Sequence, residues 1–136
     1  MWSTALLPAP PTPRWANDAR SFVDEGMSRI ADLPLEELYI DGTHVGDTGL
    51  MILSRMKTLT RLDLGDSSVT SNGICMIKQF PLRKLNISGD KVHNDGLKCL
   101  SQIKTLTELD LESCEATEDG LQFLAKLPVL AGLRLG

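Results

Sequence analysis

One phrase of six residues, L-x-x-L-x-[LI], recurs five times along this chain of 136 residues. The copies begin at Leu35, Leu59, Leu82, Leu106 and Leu130, so neighbouring copies start 23 or 24 residues apart. Apolar residues two positions apart lie on the same face of a strand, because successive side chains point to opposite faces. The fourth and sixth positions of each phrase therefore predict a short strand with one buried face.

Each strand phrase is followed by a second recurring phrase that has the spacing of a helix. Apolar residues follow a glycine directly and again three residues later, which marks one stripe of a short helix. Thr70 and Thr117, with nearby Ser71 or Asp47, suit the helix start, where a side-chain oxygen can accept a free backbone N–H. We expect the glycines, which recur at the repeat period, to serve turns. They are Gly49, Gly73, Gly96 and Gly120.

A single unit of strand, turn, helix and loop cannot bury its apolar face alone, so the units must stack. Stacked strands lie about 4.8 Å apart, whereas helices need roughly 10 Å, and the stack therefore curves with its strands inside. We predict an α/β solenoid: a short curved arc of about five strands, with a parallel β-sheet on the concave face and short helices on the convex face. The fourth-position leucines should form one interior row. They are Leu38, Leu62, Leu85, Leu109 and Leu133.

This pattern resembles the leucine-rich repeat superfamily, whose frame is L-x-x-L-x-L-x-x-[NCT]-x-L. The resemblance covers about residues 18–136. It is closest to the Cys-containing or bacterial-type repeats, as in the repeat regions of F-box proteins. The ninth position of the family frame often holds Asn or Cys, and here it holds Thr43, Ser67, Asp90 and Cys114. The resemblance implies a repeat solenoid that binds other proteins.

The chain divides into three parts. Residues 1–14 are rich in proline and predict a leader or linker. Residues 15–34 fit a degenerate N-terminal capping repeat, and residues 35–136 hold the leucine-rich repeats, of which the last is truncated. Since no polar cap follows the last strand phrase, we expect either a fragment of a longer protein or pairing of the C-terminal strand edge with another copy.

Charge and cysteine content narrow the classes of function. The net charge is −4 and the sequence has no cluster of Lys and Arg, so neither nucleic acid nor a membrane surface is an expected partner. No apolar run approaches the roughly 18 residues of a membrane span. Cys75, Cys99 and Cys114 are odd in number and widely spaced. We therefore expect free thiols in a reducing compartment, and hence a cytoplasmic protein.

The residues that point outward from the predicted concave face are the candidate partner-binding residues. They occupy the third, fifth and seventh positions of the strand phrases. They are Glu37, Tyr39, Asp41, Arg61, Asp63, Lys84, Asn86, Glu108, Asp110, Glu112 and Arg134. Tyr39 is the only aromatic ring among them, and aromatic rings concentrate binding energy at interfaces. A polar face that only keeps the solenoid soluble would show the same pattern.

We therefore expect a protein–protein interaction module that binds a partner of unknown identity through its concave face. No enzymatic activity, cofactor or metal is expected. Asp63 and Asp110 share a column but stand about 10 Å apart on an open face, with nothing to desolvate them. Two alternatives remain. One is the substrate-recognition part of an F-box-type ubiquitin-ligase subunit, which rests on the resemblance alone, and the other is a structural repeat fragment with no partner of its own.

Overall fold

The computed structural model describes residues 4–6 and 26–135, in which strands and short helices alternate. The strands are β1 (Thr4–Leu6), β2 (Glu37–Tyr39), β3 (Arg61–Asp63), β4 (Lys84–Asn86), β5 (Glu108–Asp110) and β6 (Gly132–Arg134). The helices are α1 (Asp47–Leu53), α2 (Ser71–Met76), α3 (Asn94–Leu100) and α4 (Glu118–Leu124), and residues 26–30 are also helical. No helix within the described residues has the length and hydropathy needed to cross a membrane.

The six strands form one parallel sheet in chain order. The fourth-position leucines line up as predicted, since Leu38 pairs with Leu62, Leu62 with Leu85, Leu85 with Leu109, and Leu109 with Leu133. The first four are buried as expected, whereas Leu133, on the last strand, is 44% exposed. The helices lie on the side of the stack opposite the sheet, and there each helix packs against the helix of the next repeat. The predicted α/β solenoid is therefore confirmed, with the sheet on the concave face and the short helices on the convex face.

One continuous core runs between the sheet and the helices. Each repeat contributes the same set of apolar positions, so each layer of side chains packs on the layer before it. One example of such a layer is the apolar residue that lies three or four positions after the end of each helix. Met56, Phe80, Ile103 and Leu127 occupy that position in successive repeats and are all buried. Phe80 is the largest fully buried side chain among the described residues.

Thr4–Leu6 are the only residues of the expected leader or linker that the structure describes. These three residues form β1 and pair in parallel with β2, with Ala5 opposite Leu38. Parallel pairing needs only backbone groups from the added strand, so the edge of β2 can accept a segment that lacks the leucine phrase. The remainder of residues 1–14, and residues 15–25 of the expected capping repeat, lie outside the described residues.

The sequence suggested that each helix start is capped by a side chain of its own repeat. In the structure, the bonds at the starts of α2, α3 and α4 come from the preceding repeat. None of α1 to α4 has a side-chain hydrogen bond from its own N-cap residue. Instead, the side chain at the first helical position accepts the N–H of the N-cap residue one repeat later. This bond runs from Thr70 to Asp47 at 2.9 Å, from His93 to Ser71 at 2.8 Å and from Thr117 to Asn94 at 2.9 Å. The caps therefore tie consecutive repeats together.

The repeat glycines also have a different role from the expected turns. Gly73 and Gly120 are the third residues of α2 and α4. A Cβ atom at Gly73 would overlap Asp47 Oδ1, and one at Gly120 would overlap Asn94 Oδ1. These glycines leave room for the capping side chain of the preceding repeat. The left-handed turn lies earlier, at Gly42, Asp66, Gly89 and Ser113, all of which have positive φ.

The expectation of three free thiols is wrong, because Cys75 and Cys99 form a disulfide. Their separation of 24 residues is one repeat, and it places them on neighbouring helices, α2 and α3, with Cα atoms 5.1 Å apart. That distance lies within the usual range for a disulfide. Cys114 is free and half-buried.

Candidate functional site

The predicted partner-binding residues all lie on the outer face of the sheet or at its carboxyl edge. Strand pairing places the third-position residues in one row and the fifth-position residues in the next. The first row holds Glu37, Arg61, Lys84 and Glu108, and the second holds Tyr39, Asp63, Asn86, Asp110 and Arg134. Asp41 and Glu112 follow the ends of β2 and β5. None of these side chains is buried.

The concave face of the sheet forms an open depression of about 600 Å³ along β3 to β6. Seven of the predicted residues line it: Arg61, Asp63, Lys84, Asn86, Glu108, Asp110 and Arg134. Glu37, Tyr39, Asp41 and Glu112 lie outside this lining. Thr107 and Ala131 also line the depression, and the sequence reasoning missed them because it considered only the odd positions of each strand phrase.

Tyr39, Glu37 and Arg61 form a cluster at the N-terminal end of this face. The Tyr39 hydroxyl donates a hydrogen bond of 2.6 Å to Glu37 Oε1, and the Arg61 guanidinium lies over the Tyr39 ring, 5.4 Å from its centroid. The bond to Glu37 raises the pKa of the Tyr39 phenol, so the hydroxyl remains a donor. Glu37 and Arg61 are register partners on β2 and β3, and the side chain of each contacts Tyr39. The cluster combines an aromatic ring, a cation and a carboxylate.

The fifth-position residues of β3, β4 and β5 close the turns that follow their strands. Asp63 Oδ1 accepts the N–H of Gly65 at 3.0 Å, Asn86 Oδ1 accepts that of Ser88 at 2.8 Å, and Asp110 Oδ1 accepts that of Glu112 at 3.0 Å. Such side-chain turns hold the backbone at the strand end. The same residues therefore have a structural role that the sequence reasoning did not assign.

Burial raises the pKa of the Asp63 carboxyl above its usual range, and the nearby carboxylate of Asp41 adds to the rise. The expectation that nothing desolvates Asp63 is therefore wrong. The side chain is only half-buried, because the open face lies on one side of it and the turn to Gly65 on the other.

The C-terminal half of the face carries paired charges. Lys84 Nζ lies 3.5 Å from Glu108 Oε1, and the two residues are register partners on neighbouring strands. Arg134 Nε lies 3.4 Å from Glu112 and 4.0 Å from Asp110. Most of these side chains are more than a third exposed, and exposed pairs of this kind contribute only about 0–1 kcal/mol each.

Threonines before two of the strands bind the preceding repeat. Thr58 Oγ1 donates to Leu35 O, and Thr105 Oγ1 donates to Leu82 O in the same way. Thr60 and Thr107 likewise donate to Glu36 O at 3.2 Å and to Arg83 O at 2.9 Å. The sequence reasoning missed these residues, although the tetrapeptide K-T-L-T occurs at both 57–60 and 104–107.

Comparisons with known proteins agree with the fold. A family model described as a leucine-rich repeat matches residues 102–125, and no curated protein matches the sequence. Among solved structures, an internalin (inlF) from Listeria monocytogenes is similar with a TM-score of 0.53 and 18% identity over 78% of this chain. An internalin C2 from the same organism has a TM-score of 0.58 and 20% identity over 80% of this chain.

The chain spans 36% of the first internalin and 55% of the second. At these identities the likeness concerns the fold alone. The matching family model describes a leucine-rich repeat in general. It does not distinguish the Cys-containing or bacterial-type repeats from the others. Residues 102–125 match a leucine-rich repeat, and the neighbouring units stack beside it in the same parallel sheet.

Proposed function

We propose that this chain is a protein–protein interaction module that binds a protein partner through its concave face. The observation that carries the proposal is the alternation along each strand. One set of side chains fills the core, while the other set lines an open depression of about 600 Å³ across four strands. Regular concave surfaces of this kind are the binding surfaces of solenoid proteins.

The cluster of Tyr39 and Arg61 is the proposed anchor for the partner. Tyr and Arg are enriched among the residues that dominate binding energy at interfaces. The stacking of Arg61 on Tyr39, and the bond from Tyr39 to Glu37, restrict these side chains before the partner arrives. Binding then costs less side-chain entropy, which is about 0.5–1.5 kcal/mol for each long side chain that becomes fixed.

We propose binding and not catalysis for the fifth-position carboxylates. Asp63 and Asp110 each accept a backbone N–H from the turn that follows their own strand. Both carboxylates are therefore tied to the backbone of an open face. This favours a role in shaping the surface over acid–base chemistry, in which a carboxyl group must exchange a proton with the substrate.

The proposed cytoplasmic location has lost much of its support. It rested on three free thiols, and the disulfide removes two of them. Disulfides form and persist in oxidising compartments, so the bond argues for an oxidising environment. The ubiquitin-ligase alternative continues to rest on the resemblance alone, and no contact within the described residues favours it.

Affinity capture with a matched pair of variants tests the proposal. The first variant combines Tyr39→Ala, Asp63→Asn and Asp110→Asn. Asparagine is chosen because Asn86 already closes the equivalent turn, so the fold should be kept. The control combines Met51→Ala, Asp95→Asn and Asp119→Asn, which truncates one large side chain and neutralises two carboxylates at exposed positions of the convex helices.

Proteins retained by the immobilised wild-type chain from its native source are identified and quantified. We expect the concave-face variant to retain about tenfold less of a specific partner, while the control retains it fully. Equal retention by both variants would overturn the concave-face proposal. Loss of the partner from the control alone would also overturn it and would indicate a footprint on the convex side.

A further inference from the structure

The connections that lead from α1, α2, α3 and α4 to the strands that follow them carry positive charge only. They are residues 54–60, 77–83, 101–107 and 125–131, and they contain six cations and no Asp or Glu. The connection before β2, residues 31–36, differs and contains Asp32 and Glu36. The cations are Arg55, Lys57, Lys78, Arg83, Lys104 and Lys126, and all six are exposed. We call this set the basic rim.

The connections that lead from each strand to its helix have the opposite charge. Residues 40–46, 64–70, 87–93 and 111–117 contain five acidic residues and one Lys. Because the strands are parallel and every helix returns along the stack, the two sets of connections lie at opposite edges of the solenoid. The fold thus gathers onto one edge cations that are spread singly along the sequence, and for that reason the linear sequence showed no basic cluster.

Ion pairing within the described residues leaves most of the basic rim unmatched. Arg55 lies 4.0 Å from Asp32, and both side chains are exposed. Lys104 donates to the carbonyl of Ser101. For Lys57, Lys78 and Arg83, no carboxylate lies within 4.0 Å among residues 26–135.

The helix dipole does not account for the basic rim either. Cations stabilise a helix when they lie in its last turn, and the effect falls off beyond that turn. The last turns of α1, α2 and α4 contain no basic residue. The six cations lie after the helices end, where they contribute little to helix stability.

Two of the four connections of the basic rim are tied by side-chain hydrogen bonds to the preceding repeat. The Thr58 and Thr105 hydroxyls, next to Lys57 and Lys104, each donate to a carbonyl of the preceding repeat. A surface whose backbone is fixed in advance loses less conformational entropy on binding. The basic rim is therefore preorganised for an anionic partner.

We propose that the basic rim binds an acidic segment of a protein partner, a stretch rich in Asp and Glu. The proposal rests on the proposed function in taking the partner to be a protein. Cations that recur once or twice in each repeat match an extended chain of carboxylates laid along the edge. Arg61 and Lys84, at the starts of β3 and β4, continue the positive charge onto the concave face, so one partner can contact both surfaces.

The chemistry of the rim favours an acidic protein over nucleic acid. Single-stranded nucleic acid binds through exposed aromatic rings that stack on the bases. The one aromatic residue in the four connections is Phe80, and it is buried. The neighbouring ring of Phe123, in α4, is half-buried and already covered by Lys126, whose Nζ lies 5.5 Å from the ring centroid. The acidic opposite edge and the net charge of −4 would also repel a long polyanion that extends beyond the rim.

Fluorescence anisotropy with a labelled poly-glutamate peptide tests the proposal. The rim variant combines Lys57→Gln, Lys78→Gln, Arg83→Gln and Lys104→Gln. The control variant combines Thr48→Glu, Ser68→Glu, Asn72→Glu and Gln122→Glu, which lowers the net charge equally at exposed positions elsewhere. We expect the rim variant to bind the peptide about tenfold or more weakly, the control to bind about as well as the wild type, and added salt to weaken binding.

Three outcomes would overturn the proposal. One is no binding of the peptide by the wild-type chain at low salt, and another is an equal loss of affinity in both variants. The third is tighter binding of duplex DNA, or of phosphatidylserine-containing vesicles, than of the peptide at equal charge concentration. The variant with Tyr39→Ala, Asp63→Asn and Asp110→Asn should still bind the peptide, so failure of the rim and failure of the concave face can be told apart.

Discussion

Ser67 donates two hydrogen bonds to one oxygen of Asp90, which lies one repeat further along the chain. Its backbone N–H lies 2.9 Å from Asp90 Oδ1, and its hydroxyl lies 3.1 Å from the same atom. Asp90 is only 1% exposed, and its other oxygen, Oδ2, has no hydrogen-bond partner within the described residues. Burial raises the pKa of this carboxyl to about 7. The carboxyl is therefore largely protonated in the folded state at mildly acidic pH.

This raised pKa predicts that stability declines as the pH rises toward neutrality. An Asp in an unfolded chain has a pKa of about 3.9, so between this value and about 7 the folded state binds more protons than the unfolded state. The contribution of Asp90 to the free energy of unfolding should therefore be largest below about pH 4. It should then fall by about 2 kcal/mol from pH 5 to pH 7 and level off above. Urea unfolding at several pH values measures the decline.

Asp90→Asn should abolish most of this pH dependence. The amide oxygen can accept both bonds from Ser67, and the amide nitrogen supplies a neutral donor in place of Oδ2. Asp95→Asn, at an exposed position of α3, changes the same charge and should keep the wild-type slope. A slope in the Asp90→Asn protein equal to that of the wild type would rule out Asp90 as its source.

The disulfide between Cys75 and Cys99 predicts a defined thiol count. Burial raises the pKa of the Cys114 thiol to about 11, so this group reacts slowly in the folded protein and must be counted in denaturant. Unreduced, denatured protein should show one reactive thiol per chain. Cys114→Ser should then show none. Three reactive thiols in unreduced protein purified without reductant would contradict the disulfide.

Loss of the same bond should destabilise the middle of the solenoid. The disulfide closes a loop of 24 residues, and in the chain-entropy model such a crosslink contributes about 3 kcal/mol. Cys75→Ala with Cys99→Ala should therefore lower the thermal midpoint, and reductant should lower it in the wild type but not in the double variant. Cys114→Ser keeps the bond and should retain the response to reductant.

Phe80 provides a measure of how strongly the core depends on a single layer. Phe80→Ala removes a ring that is 2% exposed and should cost about 3–5 kcal/mol, through lost burial and the cavity left behind. Against a typical total of about 5–15 kcal/mol, this would bring the chain close to unfolding. Phe123→Ala removes a half-buried ring of α4 and should cost clearly less in the same denaturant titration.

The sequence could predict the sheet but not the contacts between repeats. Leu38 and its equivalents had to align, because each leucine phrase has one apolar face and only a neighbouring phrase can cover it. The disulfide depends on the directions of two side chains on separate helices, and spacing alone does not fix those directions. The raised pKa of Asp63 likewise depends on burial within a face that the strand alternation predicts only as exposed. The edge charges become visible once the ends of the helices and strands are known.

Gly73 and Asp47 show such a contact between repeats, and a double-mutant cycle can measure it. Gly73→Ala would normally favour α2 by about 1 kcal/mol, since Gly is a poor helix former. Here the added Cβ would overlap Asp47 Oδ1, the atom that accepts the N–H of Thr70. Gly73→Ala should therefore destabilise the wild type, whereas Asp47→Ala alone should cost about 1 kcal/mol through loss of the cap.

In the Asp47→Ala background the carboxylate no longer obstructs the Cβ, and the remaining close atom, Leu50 Cδ1 at 3.1 Å, is the end of a flexible side chain that can shift. Gly73→Ala should then be neutral or stabilising. The two changes should therefore couple by about 1 kcal/mol or more, as measured by denaturant unfolding of the four proteins. Thr48→Ala, at the exposed neighbouring position of α1, should show no coupling with Gly73→Ala. Additive costs for Asp47→Ala and Gly73→Ala would mean that the glycine is needed for some reason other than the cap from the preceding repeat.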